Sequence, residues 1–191
     1  FQKALQSTKL IRTKTRIAEG HASIGSVVAA LAQRLFADRL RECQVLLWGA
    51  GKAAEATARH LIKSGIGHLW IVNRTQTKAQ DLALMCQGGW LSWEQAIQHL
   101  AHVDIAIVCT QAPHYVIDSS DMDAILPARG ARPLALLDLA VPRNVDPSLK
   151  GRPGLHLYNV DDLQAIAGTV LAKRRDALKE CDALVEQQVD H

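Results

Sequence analysis

The chain has 191 residues, of which 48% are hydrophobic and 21% charged, a composition that is ordinary for a soluble globular protein and excludes a disordered one. This length is enough for one domain with a full hydrophobic core and some flanking helix. The formal net charge of +3 is too small to indicate nucleic-acid binding by itself.

Two features limit the kind of protein further. No apolar run reaches the roughly 18 residues of a membrane-spanning helix, because polar residues interrupt the richest stretch, 24–35. The chain has four cysteines, Cys43, Cys86, Cys109 and Cys181. They form no CxxC pair and no metal-ligand spacing, which indicates a reducing cytoplasm and no zinc site. Since the chain opens with Phe1 and no signal peptide, we expect a piece of a longer cytoplasmic protein.

The spacing of apolar residues predicts alternating helices and strands. In chain order these are a helix over 18–40, a strand over 45–48, a helix over 53–63, a strand over 69–72, a helix over 76–85, a turn at Gly88-Gly89, a helix over 93–100, a strand over 104–109, a Pro-containing loop and a strand over 134–139. From Asp161 to the end the spacing is helical again and predicts a long C-terminal helix, more suited to packing or dimerisation than to the sheet.

The predicted strands are apolar on both faces and are separated by helices. Strands of this kind belong to a parallel sheet that is covered on both sides. The sequence therefore predicts a doubly wound, mostly parallel α/β domain of the Rossmann type, with a flanking N-terminal helix and a long C-terminal one.

A Gly-rich turn joins the first predicted strand to the next helix. In the pattern Gly49-x-Gly51-x-x-Ala54, Gly49 permits the tight turn, Gly51 lets a pyrophosphate approach the backbone, and Ala54 lets the helix pack on the strand. The free amides at the helix N-terminus would bind the phosphates. The predicted cofactor contacts here are Gly49, Ala50, Gly51, Lys52, Ala53 and Ala54. A purely structural turn, with Lys52 facing solvent, is the alternative.

The second strand ends at Asn73-Arg74-Thr75, where a dinucleotide-binding domain reads the adenine ribose. An Asp or Glu there would accept hydrogen bonds from a free 2′-hydroxyl, but this chain has neither. A guanidinium binds a 2′-phosphate with two hydrogen bonds, and Thr75 adds a hydroxyl donor. The turn therefore indicates NADP(H). In the alternative, Arg74 is an exposed loop charge and Thr75 caps the next helix.

Several stretches, taken together and in order, resemble glutamyl-tRNA reductase. They are "TKTRIAEGHASIGSVVAALA" (13–32), "LLWGAG" (46–51), "IVNRT" (71–75), "CTQAPHYVI" (109–117), "LLDLAVPRNVDP" (136–147) and "LYNVDDLQAI" (157–166). The last two are the most specific. Trp48 before the first glycine and Lys52-Ala53-Ala54 after the second depart from that family's usual pattern.

The resemblance implies an activity that this chain contains only in part. Members of the family use NADPH to reduce the glutamyl ester on tRNA to glutamate-1-semialdehyde for tetrapyrrole biosynthesis, through a thioester on a catalytic Cys. That Cys lies in a Thr-Cys-Asn-Arg motif, which this chain lacks. We therefore expect a fragment that binds the cofactor, has no catalytic residue of its own and does not complete the reaction.

The resemblance also divides the chain. Residues 1–38 correspond to the helical end of the catalytic domain, 39–160 to the NADP(H)-binding domain, and 161–191 to the start of a long helix leading to a dimerisation domain. Cys109 and Thr110 would lie beside the nicotinamide, with Cys109 as a small neighbour rather than a nucleophile. The implied partners are glutamyl-tRNA and, in the complete protein, a second copy bound through the C-terminal helix.

Other candidates stay open. Asp138 ends a strand near the expected nicotinamide position, or else bonds the loop amides that follow it. Arg143 meets either the cofactor or a partner domain, and His114 either binds a ligand or faces solvent. The basic run 173–175 contacts tRNA phosphates or forms a solvated helix face.

Two other functions remain open from the sequence. Because "NRT" after a Gly-rich turn is shared with shikimate dehydrogenases, one alternative is a small-substrate NADP oxidoreductase whose substrate-binding Lys and Asp lie upstream. The other is a non-catalytic module that binds NADP(H) and a partner through its terminal helix. The sequence before Phe1 would separate the three functions.

Overall fold

Six short segments pair into one parallel sheet in the order β3-β2-β1-β4-β5-β6. The structure is a computed structural model and describes residues 23–168. The strands are β1 (Gln44–Trp48), β2 (His68–Val72), β3 (Gly89–Leu91), β4 (Ile105–Val108), β5 (Leu134–Asp138) and β6 (Leu155–Asn159). The helices are α1 (Ile24–Phe36), α2 (Lys52–Lys63), α3 (Gln76–Met85), α4 (Trp93–His99), α5 (Ser119–Arg129) and α6 (160–168, where the described residues end). Two 3₁₀ helices span Ala37–Glu42 and Pro147–Leu149.

Alternate residues of the central strands face two separate cores. Val45 and Leu47 of β1 lie in the core under α1, α2, α3 and α6, whereas Leu46 and Trp48 lie in the core under α4 and α5. Every residue of β4 and β5 is buried. Burying one large aliphatic side chain contributes about 1.5–3 kcal/mol, so strands that are apolar on both faces need a layer of helices on each side. The predicted doubly wound α/β fold is therefore confirmed, and the sheet is parallel throughout.

Helix α1 belongs to the same core as the sheet. Its N-cap is Ser23, whose side chain accepts a hydrogen bond from the Ser26 amide at 3.2 Å. A Cβ at Gly25 would lie 3.0 Å from the Thr57 Cα, so a small residue is needed where α1 crosses α2. The predicted start of this helix at residue 18, and the C-terminal helix after 168, lie outside the described residues. No helix within 23–168 is long and apolar enough to cross a membrane.

The sequence prediction finds β1, β2, β4 and β5 but omits two strands and one α-helix. Strand β3 is only three residues long and starts within the predicted Gly88-Gly89 turn. A Cβ at Gly88 would lie 2.3 Å from the Leu69 carbonyl oxygen, so this glycine allows β3 to approach β2. Helix α5 contains Pro127, and β6 is a half-exposed edge strand with the mixed sequence LHLYN. None of the three has the periodic apolar pattern on which the prediction depends.

A row of four aromatic rings lies between β2 and the end of α4. The ring centroids of His68 and Trp70 are 4.6 Å apart, those of Trp70 and His99 4.8 Å, and those of His99 and His102 5.8 Å. The Nε2 atoms of His68 and His99 are buried without a hydrogen-bond partner. Burial, reinforced by His102 and His68, lowers the pKa of His99 below its usual 6.5. The folded protein therefore favours neutral His99.

This shift makes stability depend on pH. Because the folded pKa of His99 is lower than the unfolded one, its contribution is fully present above the unfolded pKa and is lost as pH falls through the folded pKa. We expect the free energy of unfolding, measured by urea titration, to fall as pH is lowered from about 7.5 to 5. His99→Phe keeps the ring stacking without the titration and should reduce that fall. His156→Gln, on an exposed β6 histidine, is the control; equal pH dependence in all three proteins would contradict the account.

Candidate nucleotide-binding site

The carboxyl ends of the four central strands, β2, β1, β4 and β5, lie side by side at one end of the sheet. The Gly49 amide donates to the Val72 carbonyl at 2.7 Å, and the Cys109 amide donates to the Trp48 carbonyl at 2.8 Å. Strand order reverses between β1 and β4, because β2 and β3 lie on one side of β1 and β4 to β6 on the other. Ligands of doubly wound sheets bind in the crevice at such a switch point.

Only glycine fits at position 49. Its φ is +115°, in the region that L side chains rarely adopt. A Cβ there would lie 2.3 Å from the Cys109 carbonyl oxygen and 3.0 Å from the Cys109 carbonyl carbon. The turn after β1 and the end of β4 are therefore in direct backbone contact at the point where strand order reverses.

Gly51 has a different role from Gly49. Its φ of −89° is accessible to any residue, and a Cβ there would meet nothing within 4 Å. It occupies the N-cap of α2, where no side chain caps the helix, so the first amides of α2 have no partner within the helix. Three turns of helix follow, and Ala54 is fully buried where α2 packs on the core. Open space in front of uncapped helix amides is an arrangement that fits a phosphate.

The turn after β2 carries exposed, unpaired polar groups. Arg74 is exposed, and no carboxylate within residues 23–168 forms an ion pair with it. Thr75 occupies the N-cap position of α3, but its side chain makes no capping hydrogen bond. Asn73 Nδ2 donates to the Thr75 carbonyl at 3.0 Å and so fixes the turn. Of the structural alternative, the exposed loop charge of Arg74 and the N-cap position of Thr75 are both observed, but the capping hydrogen bond of the Thr75 hydroxyl is not.

Lys78, which the sequence analysis omits, extends this basic group. It lies in the first turn of α3, is exposed, and has no ion-pair partner among the described residues. Lys52, at the start of α2, is also exposed and unpaired in that part of the chain. The sequence could have indicated Lys78, because it lies three residues after Thr75 and residues three apart on a helix are neighbours.

Cys109 and Thr110 follow β4 on the other side of the switch point. The Thr110 hydroxyl donates to Asn144 Oδ1 at 2.5 Å and accepts from the Ala112 amide at 3.1 Å. Cys109 is half-buried, and burial together with the nearby Asp138 carboxylate raises the pKa of its thiol. The structure thus brings together all three groups of predicted residues, those after β1, β2 and β4, at the carboxyl end of the sheet.

Asp138 is a structural carboxylate. It is 2% exposed and accepts three backbone hydrogen bonds, from Ala140 at 3.1 Å, Asn144 at 2.9 Å and Val145 at 3.0 Å. Burial raises the pKa of the Asp138 carboxyl, and the three amides oppose this shift. The interpretation that Asp138 bonds the following loop amides is confirmed.

The remaining candidates lie in the outer parts of these loops. Arg143 Nη2 is 3.8 Å from Asp161 Oδ2, and Arg143 lines a cavity of about 130 Å³ together with Lys150 and Asp162. His114 is exposed, and its carbonyl accepts a hydrogen bond from Asn144. The basic run 173–175 lies outside the described residues.

None of the three described cysteines has the environment of an activated thiol. Burial raises the pKa of Cys43 to about 11 and raises the pKa values of Cys86 and Cys109. A nucleophilic Cys requires the opposite shift, toward the thiolate at neutral pH. Cys181 lies outside the described residues.

Known proteins resemble this chain in sequence. The model of the family described as shikimate/quinate 5-dehydrogenase matches residues 30–166. A glutamyl-tRNA reductase of Heliobacterium mobile is 35% identical over 190 residues, which are 100% of this chain and 43% of that protein. One of Solidesulfovibrio magneticus is 36% identical over 188 residues, which are 98% of this chain and 41% of that protein. The chain thus spans less than half the length of these relatives.

Solved structures agree with the sequence matches. Glutamyl-tRNA reductase from Methanopyrus kandleri superposes with a TM-score of 0.77 at 32% identity, covering 97% of this chain and 47% of that one. The nucleotide-binding domain of the Thermoplasma volcanium enzyme superposes with a TM-score of 0.56 at 16% identity, covering 83% of this chain and 97% of that one, and at that identity it supports the fold alone. On these matches the chain belongs to the shikimate/quinate 5-dehydrogenase family and is homologous over its whole length to one part of the glutamyl-tRNA reductases.

Proposed function

We propose that this chain is the NADP(H)-binding part of a glutamyl-tRNA reductase, an oxidoreductase that reduces glutamyl-tRNA to glutamate-1-semialdehyde for tetrapyrrole biosynthesis. The observation that carries the proposal is the arrangement of the crevice on a chain homologous to these enzymes from end to end. Gly49 permits the tight turn, Gly51 leaves open space at uncapped helix amides, and Arg74 is exposed at the end of β2 with no ion pair among residues 23–168. These features fit a pyrophosphate and a 2′-phosphate respectively.

In this proposal the chain binds and orients the cofactor. NADPH, when bound, supplies the hydride. The residues after β1 hold the pyrophosphate: Gly49, Ala50, Gly51, Lys52, Ala53 and Ala54. Asn73, Arg74 and Thr75, joined by Lys78, hold the adenosine end and select its 2′-phosphate. Cys109 and Thr110 lie at the opposite end, beside the position of the nicotinamide.

The acyl-activating Cys is proposed to lie outside this chain. The raised thiol pKa values of Cys43, Cys86 and Cys109 support this, because a thioester forms from a thiolate. We propose that 1–38 is the helical end of a catalytic domain, 39–160 the cofactor domain and 161–191 the start of a helix that leads to a dimerisation domain. Glutamyl-tRNA as substrate, a second copy as partner and a cytoplasmic location belong to the same proposal.

One observation favours a second candidate. The matched family model is that of shikimate/quinate 5-dehydrogenases, and it covers residues 30–166, which include the whole crevice. A small-substrate NADP oxidoreductase would use the same cofactor site with a different substrate domain. The end-to-end homology with glutamyl-tRNA reductases makes this the weaker candidate.

The first test concerns cofactor choice. Because Arg74 is exposed and has no ion-pair partner within residues 23–168, it can form two charge-assisted hydrogen bonds with a 2′-phosphate, worth about 1.5–3 kcal/mol or on the order of 10- to 150-fold in affinity. Titration of the chain should therefore show NADPH binding more tightly than NADH, and Arg74→Ala should remove most of the difference. The matched control is Arg41→Ala, because Arg41 is also exposed but precedes β1, at the opposite end of the strands. Equal affinity of the unmutated chain for both cofactors would refute the assignment.

The second test separates the two glycines of the turn. Gly51→Val places a side chain in open space at an ordinary φ, so the protein should fold with an unchanged melting temperature but lose NADPH binding. Gly49→Ala places a methyl group 2.3 Å from the Cys109 carbonyl oxygen and should lower the melting temperature itself. Gly168→Val, also facing open space, controls for the valine. Normal NADPH binding by folded Gly51→Val would place the phosphates elsewhere.

The third test concerns the missing nucleophile. Supplied with glutamyl-tRNA and NADPH, the chain should release no glutamate-1-semialdehyde, because no group that we identify among residues 23–168 activates an acyl group and holds it about 3–3.5 Å from the nicotinamide. Native Cys43, Cys86 and Cys109 should react with a thiol reagent more slowly than in the urea-unfolded chain. A continuous chain with the upstream domain should turn over, and its Cys-to-Ser variant should not. Product from residues 1–191 alone would restore Cys109 as the candidate nucleophile.

A further inference from the structure

One buried side chain ties together the two loops on the β4–β5 side of the crevice. Asn144, which is 0% exposed, belongs to the loop after β5. Its Nδ2 donates to the Ala112 carbonyl at 2.8 Å and the His114 carbonyl at 3.1 Å, and its Oδ1 accepts from the Thr110 hydroxyl at 2.5 Å. Both amide hydrogens and the amide oxygen are thus used, all of them on the loop after β4.

The backbone of Asn144 is itself fixed by hydrogen bonds. Its backbone amide donates to Asp138 Oδ2 at 2.9 Å, and its carbonyl accepts from the Val116 amide at 2.6 Å. Asp138 is the last residue of β5 and is 2% exposed. A continuous series of hydrogen bonds therefore runs from the end of β5 through Asn144 to Thr110.

The loop after β4 has few other internal supports. Gln111, Pro113, His114 and Tyr115 are exposed, and the first buried residue after Cys109 is Val116. From 110 to 114 only Ala112 packs against the core, and the Ala112 amide donates to the Thr110 hydroxyl. The side chain of Asn144 adds three further hydrogen bonds to this segment.

The position of this loop relative to the rest of the crevice identifies what it faces. Arg74 follows β2 and the Gly-rich turn follows β1, so a dinucleotide with its 2′-phosphate at Arg74 and its pyrophosphate at Gly51 continues toward β4 and β5. The loop that Asn144 holds lies where the nicotinamide half would be.

We propose that Asn144 is a positioning residue that holds the loop 109–116 at the nicotinamide end of the cofactor and acts through Thr110. Being fully buried, it does not touch the cofactor itself. This inference rests on the proposed NADP(H) function and adds a residue that determines how the reactive half of the cofactor is held.

The test compares two ligands that share the adenosine end. NADPH carries the nicotinamide half, whereas adenosine 2′,5′-bisphosphate lacks it. Asn144→Ala should weaken NADPH binding roughly fivefold and leave bisphosphate binding within about twofold, because only the β4–β5 loop loses its hydrogen bonds. Energy transfer from the tryptophans to the bound reduced nicotinamide should fall at saturating NADPH, which a loss of global stability alone would not produce.

Two variants serve as controls. Ser119→Ala removes a hydroxyl that bonds Asp146 and Ser148 nearby and leaves the loop 109–116 untouched, so both affinities should stay unchanged. Arg74→Ala should weaken both ligands by a similar factor, because both carry the 2′-phosphate. If Asn144→Ala does not fold, Asn144→Ser replaces it, because it also removes the hydrogen bonds of the side-chain amide but leaves a hydroxyl in the buried site; the same selective loss of NADPH affinity is expected.

Each outcome decides the inference. A selective loss for NADPH supports it, whereas equal losses for the two ligands, or no loss, overturn it and leave Asn144 with a role in folding only. If the unmutated chain binds the bisphosphate but gains nothing from the nicotinamide half, the inference fails while the proposed cofactor site stands. If it binds neither ligand, the proposed function fails as well.

Discussion

The structure depends on one close backbone contact, between the turn after β1 and the end of β4. At Gly49 the chain passes so near to Cys109 that any Cβ would overlap the carbonyl oxygen, at 2.3 Å. Because the turn is this tight, α2 begins three residues later, at Lys52, with its uncapped N-terminus beside the point where strand order reverses. A side chain at position 49 would separate β1 from β4. It would also move the helix terminus and break the hydrogen bond from Cys109 to Trp48.

The two sides of the proposed site differ physically: one presents exposed charges, and the other contains a buried hydrogen-bond network. On the β2 side, Lys52, Arg74 and Lys78 are exposed and solvated, so keeping them unpaired costs little until a phosphate provides a partner. On the β4–β5 side, Asp138 and Asn144 are buried, and an unpaired polar group there would cost about 1–3 kcal/mol. In the proposed site, charge would therefore supply affinity at one end, and a fully bonded polar network would supply geometry at the other.

This difference explains how much the sequence predicts. The strands β1, β2, β4 and β5 and the Gly-rich turn follow from apolar runs and glycine spacing, which are local signals. Arg74 follows from the absence of a carboxylate at a known position. Asn144 has no such signal, because its importance lies in bonds to residues 30 to 34 positions earlier in the chain. Strand β6 is missed for a related reason: pairing with β5, rather than its own composition, makes LHLYN a strand.

Exposed side chains at the carboxyl end of the sheet bear on which steps the proposal gives to this chain and which to another part of a longer protein. In the loops after β4 and β5, Tyr115 is 48% exposed and Val141 is 82% exposed, so two large side chains face water at the end of the sheet where the proposal puts hydride transfer. Transfer requires the reacting atoms about 3–3.5 Å apart in a site that excludes water. In the proposal, the glycine geometry and the surface charge bind the dinucleotide, whereas hydride transfer needs a second surface to exclude water. These physical grounds support the proposal that this chain binds the cofactor and that acyl activation belongs to another part of a longer protein.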